Sequence, residues 1–96
     1  MIIPIEIIKK VANEVAPKFG IKSIELFGSY ADGIAKEESD IDLMVEFEKR
    51  AVSLFVISDV KYEFEEKLKK QVDVIHSPLP KNSIIKTNKV ISVYGQ

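Results

Sequence analysis

No cysteine occurs in this 96-residue sequence, so disulfides, thiolate metal centres and cysteine nucleophiles are excluded. Basic charge is not in excess. Fourteen lysines and arginines stand against 15 aspartates and glutamates, a formal net charge of -1. Gripping long nucleic acid through its phosphates needs a clear basic surplus, so that role is not expected; a small nucleotide ligand needs none. Long apolar runs are missing too, and none approaches the roughly 20 residues of a membrane span. The apolar start Met1-Ile2-Ile3-Pro4-Ile5 lacks a basic leader and a small-residue cleavage site. It does not read as a signal peptide, and a cytoplasmic location is expected. What remains is 46% hydrophobic and 30% charged residues, interspersed along the chain. That balance predicts one folded domain, residues 1–96, with a modest core.

Periodicity predicts the elements. Ile5, Ile8, Ala12, Val15 and Phe19 recur at helical spacing, with Pro4 suited to the first turn, Pro17 awkward near the end and Gly20 as the stop. Residues 23–27 alternate as a strand, and Gly28-Ser29 breaks it. Residues 40–47 form a second strand. Ser53 caps a long helix whose stripe is Leu54, Ile57, Val60, Phe64 and Leu68. A third strand covers 72–76, Pro78 and Pro80 end it, and a last helix is expected from Asn82 or Ser83 to about Val90. The tail from Val93 is left unassigned. The order implies an α/β (α+β) domain: a small mixed sheet of about three strands, covered by helices mainly on one face.

Three features fall at strand ends and faces. Gly28-Ser29 directly follows an apolar strand. A glycine there allows backbone to approach a ligand closely, and a short helix starting near Ser29 would offer its free N–H groups to a phosphate. The competing reading is a plain strand-ending turn. Asp40-Ile41-Asp42 places two carboxylates on one strand face. Like charges so close repel, and a divalent cation between them is the best reason to keep both; oxygen ligands of this kind suit Mg²⁺. The competing reading is a solvated strand mouth. Asp73 stands between Val72 and Val74, where aspartate is disfavoured, either to complete a carboxylate cluster or as an edge acid facing water. His76 reads best as a strand-end histidine. Lys67, Lys69 and Lys70 read as a solvated helix end and Glu63, Glu65 and Glu66 as surface, while Tyr30 could pack beside the loop or stack on a base.

The stretch Leu26-Phe27-Gly28-Ser29-Tyr30-Ala31, ten residues from Tyr30 to Ser39, then Asp40-Ile41-Asp42-Leu43 resembles the signature of the minimal nucleotidyltransferases. These belong to the DNA polymerase β-like nucleotidyltransferase superfamily. The downstream helix near Ser53-Leu54-Phe55 and the segment Gln71-Val72-Asp73-Val74 extend the resemblance over nearly the whole chain. The resemblance implies that Gly28 and Ser29 hold the β- and γ-phosphates of ATP. It implies that Asp40 and Asp42 hold two Mg²⁺ ions, and that Asp73 shares one and helps deprotonate the attacking hydroxyl. One departure is Asp32, where the family usually carries an arginine; a negative charge there should weaken triphosphate binding unless Lys36 or a partner's cation offsets it.

In a chain of 96 residues, the helical acceptor-binding domain of larger superfamily members is not expected. Minimal enzymes of this kind pair with HEPN-domain toxins in toxin–antitoxin systems. By resemblance, the expected role is that of an antitoxin which moves AMP from ATP onto a tyrosine of a HEPN partner. The alternatives are an antitoxin that neutralises its partner by binding alone, and an enzyme with a small-molecule acceptor.

Overall fold

The computed structural model describes residues 2–49, 51–77 and 90–95. Helix α1 (Ile5–Phe19) buries Ile8, Val11, Ala12, Val15 and Ala16, and Gly20 closes it in the left-handed region at φ 66° with its N–H on Ala16 C=O. Pro17 lies within the last turn, yet the helix runs on to Phe19. Strand β1 (Ile21–Phe27) leads through Gly28 into the single turn α2 (Ser29–Asp32), and β2 (Ile41–Phe47) follows a loop. Helix α3 (Leu54–Leu68) starts where Ser53 Oγ accepts the N–H groups of Phe55 and Val56, as an N-cap should. Strands β3 (Val72–Ser77) and β4 (Ile91–Tyr94) complete the described chain.

The sheet runs β3-β2-β1-β4. β1 is antiparallel to β2 and to β4, while β2 and β3 are parallel, joined across α3 as a parallel pair requires. The sheet is therefore mixed, with four strands instead of about three. The fourth is the short stretch Ile91-Ser92-Val93-Tyr94, too brief for alternation to announce it, and Val93 seals it to the core at 3% exposure. The helix expected from Asn82 or Ser83 lies outside the described residues.

Strand parity divides the sheet. Ile24 and Leu26 of β1, Ile41, Leu43, Val45 and Phe47 of β2, and Val72 of β3 all belong to one core under α1 and α3. Their neighbours in sequence, Glu25, Phe27, Asp42, Met44, Glu46 and Asp73, therefore face the other way. The α3 stripe holds at Val60, Phe64 and Leu68, but Leu54 is 79% exposed. It occupies the first position of the helix, where helical spacing continues without a surface to bury against.

Candidate active site

Asp42 and Asp73 are brought together by register. They are direct partners across the parallel β2–β3 pair, on the face away from the core, close enough for each carboxylate to feel the other's charge. Asp40 precedes β2 by one residue and acts on Asp42 through its charge. Partial burial, then the charge of Asp73, then that of Asp40 push the Asp42 carboxyl above its ordinary value of 3.8. Among the described residues, none of the ion pairs (Lys18–Glu63, Lys22–Glu46 and Lys67–Glu14) reaches these acids.

The turn at Gly28 closes on the same point. Phe27 is the cross-strand partner of Asp42, so Gly28 lies just beyond it. Gly28 has φ 76° and ψ -154°, and a Cβ built there would collide with Asp42 Oδ2. Only glycine lets backbone pass so close to this carboxylate. The α2 turn opens with Asp32 N–H on Gly28 C=O at 3.0 Å, so the N–H groups of Ser29, Tyr30 and Ala31 have no bond within the helix. Gly28, Ser29, Asp40, Asp42 and Asp73 thus gather at one end of the open face.

The donor chemistry fits a hard divalent cation. All three side chains are carboxylates, two are direct cross-strand partners, and among the described residues no lysine or arginine forms an ion pair with them. Among the described residues, no three histidine, cysteine or acidic side chains form a ready-made metal cage. Asp42 and Asp73 supply the close pair.

Several residues read differently in three dimensions. Tyr30 is no base platform: it is 5% exposed and its hydroxyl accepts Ile3 N–H at 3.2 Å, strapping α2 to the start of the chain. His76 lies on the core side, edge-on to Phe47 with centroids 5.3 Å apart, on the opposite face from Asp73, and its buried Nε2 has no hydrogen-bond partner among the described residues. Asp32 does not simply point to solvent, because its Oδ1 is buried, with no hydrogen-bond partner among the described residues. Lys36 forms none of the ion pairs among the described residues. Two residues taken as plain surface hold the site from behind. Glu65 Oε2 accepts Val72 N–H at 3.1 Å, next to Asp73, and Lys70 Nζ donates to Glu37 C=O in the loop before Asp40. Nothing in helical periodicity distinguishes either from a solvated side chain.

The family model described as a nucleotidyltransferase domain matches residues 8–95. A Methanocaldococcus jannaschii relative that carries a protein adenylyltransferase name is 43% identical over 94 residues, covering 90% of this chain and 97% of its own. Among solved structures, a chain of a toxin–antitoxin with AMP-PNP superposes with a TM-score of 0.75 at 20% identity, over 98% of this chain and 75% of that one. A chain of the tri-AMPylated Shewanella oneidensis HEPN toxin in complex with MNT antitoxin gives 0.72 at 15% identity, over 97% and 74%. At those identities the structural likeness speaks to fold.

Proposed function

The chain belongs to the nucleotidyltransferase domain family, and from that premise we propose that it is a protein adenylyltransferase acting as antitoxin to a HEPN-domain toxin in the cytoplasm. The donor is ATP, and the acceptor is a tyrosine hydroxyl of the partner. The observation that carries this reading is the convergence of Asp42 and Asp73 on the Gly28 turn, a carboxylate pair beside backbone shaped for close approach. The adenylyltransferase name of the relative and the AMPylated toxin in the Shewanella oneidensis complex support the acceptor class.

Each residue has a physical task. Gly28 brings the chain against the ligand without a side chain in the way, and Ser29 with the opening N–H groups of α2 receives the β- and γ-phosphates. Asp40, Asp42 and Asp73 are the residues that would hold two Mg²⁺ ions, whose charge would offset that developing on the attacking and leaving oxygens. Asp73 takes the proton of the incoming hydroxyl in this reading, which its exposure to solvent supports. The sheet contributes rigidity: two acids on adjacent hydrogen-bonded strands hold their spacing through the reaction.

The test is one incubation of this protein with its HEPN partner, Mg²⁺ and ATP labelled at the α-phosphate. Label is expected on a partner tyrosine, and loss of label is expected in a variant carrying Asp40→Ala and Asp42→Ala. Asp32, whose carboxylate stands near the phosphate turn, favours a second reading in which the antitoxin works by covering its partner. If the double variant still neutralises the toxin fully, that second reading replaces the catalytic one.

A further inference from the structure

Asp40 is the least secured of the three acids. It lies outside β2, and its placement depends on the loop that joins Gly33 to Ile41. Several contacts attach that loop to its surroundings. Ile34 N–H bonds Ser29 C=O at 3.0 Å. Lys36 and Ser39 bond each other reciprocally, Ser39 N–H to Lys36 C=O at 3.0 Å and Lys36 N–H to Ser39 Oγ at 2.9 Å. Both of these contacts are local, so neither fixes the turn relative to β3. A further contact does: Lys70 Nζ, at the corner between α3 and β3, donates to Glu37 C=O at the tip of the turn. One step further on, Ile41 N–H bonds Gln71 C=O at 3.1 Å, continuing the attachment into the parallel ladder.

We infer that Lys70 is a positioning residue: it ties the Glu37 turn to the α3–β3 corner and so fixes Asp40 against the Asp42–Asp73 pair. The inference rests on the proposed role of Asp40 as a metal ligand. The Lys70 contact is exposed to solvent, and an exposed charge-assisted bond contributes little to global stability. Its loss therefore shows in where Asp40 stands, and a displacement of the order of 1 Å at a ligand is costly to turnover.

The experiment compares wild type, Lys70→Met and Lys70→Arg in the full chain. Mn²⁺ affinity is measured by electron paramagnetic resonance in the absence of nucleotide, and exchange of the Ser39 and Ile41 amides by NMR. Labelling of the HEPN partner is measured with kcat and KM separated. Lys70→Met is expected to weaken Mn²⁺ binding about five-fold and to speed exchange at both amides. It should lower kcat about ten-fold with a smaller change in the KM for ATP, on the scale expected of a misplaced ligand. The melting temperature should move by no more than about 2 °C, because the bond is a surface one. Lys70→Arg, which keeps a donor, should return all three readouts toward wild type. Unchanged Mn²⁺ affinity and unchanged amide exchange in Lys70→Met overturn the inference whatever happens to turnover. So does a melting temperature that falls in proportion to the other losses, and so does failure of Lys70→Arg to restore them. If wild type binds Mn²⁺ but labels no partner, the proposed function fails, while the Mn²⁺ and exchange measurements still decide the role of Lys70.

Discussion

The two ends of the central strand β2 are built for different work. At its start, Asp42 is crowded by Asp73 and Asp40 under the Gly28 turn, on the open face of the sheet. At its finish, Phe47 lines a cavity of about 460 Å³ with Phe19, Val52 and Val56. The second is the more conventional ligand cavity, concave and apolar. The first is shallow and electrically frustrated. A triphosphate with its cations has no use for an apolar cavity; it needs charge to answer and backbone it can approach. Concavity alone points to one end of this molecule, and crowded negative charge points to the other.

Three substitutions sharpen or break that contrast. The largest effect is expected at the start of the strand. Gly28→Ala forces a side chain into the left-handed region and onto Asp42, so transfer should fall by about 100-fold or more, with about 1 kcal/mol of stability lost to backbone strain alone. Radiolabel transfer and thermal melting check the two parts. Turnover within two-fold of wild type would break the assignment of the turn to the site.

Asp42→Asn should act in opposite senses on activity and on stability. Transfer should be lost, since a ligand is removed. The metal-free protein should instead become more stable at neutral pH, because the substitution removes a partly buried charge, and with it the repulsion from Asp73 and Asp40, which together raise the Asp42 carboxyl. The sign follows from proton binding: a raised folded value means the folded form holds its proton more tightly than the unfolded chain. The wild type therefore keeps its full stability below the ordinary value of 3.8 and loses some as pH rises through the higher folded value. The gain from Asp42→Asn should be present above that window and vanish below it. With the side chain only partly buried, solvent screening keeps the gain to about 2 °C in melting temperature. Melting curves in EDTA across pH 3–8 measure it, and a variant that melts below wild type at neutral pH contradicts the crowding.

The smallest effect on turnover is expected at the other end. Val56→Ala enlarges the apolar cavity and should cost about 1 kcal/mol or less, while transfer stays within about two-fold of wild type. A ten-fold loss there would tie the two ends together.

How far the sequence discloses this site depends on which contacts are local. Strand parity alone puts Asp40 and Asp42 on one side of β2, and the break at Gly28 follows directly from an apolar strand. The pairing of Asp42 with Asp73 is different, because register between parallel strands is set by how α3 crosses the sheet, and no short-range pattern records that. Leu54 shows the limit of periodicity: spacing marks a face, but only the sheet decides how much of that face it covers. The β4 strand is four residues long, too short for its alternation to rise above chance. Glu65 and Lys70 sit among like-looking charged neighbours, and only the approach of another segment gives each its particular bond. Asp32 stands out in the sequence as a departure from the family's arginine, and the burial of its Oδ1 becomes visible only in the fold.

The parallel pairing of β2 with β3 also sets when the protein becomes competent. As the chain leaves the ribosome, Asp40 and Asp42 emerge first and a whole helix must follow before Asp73 exists to join them. A half-made or half-folded copy therefore lacks the Asp42–Asp73 pair, which exists only once β3 has docked beside β2.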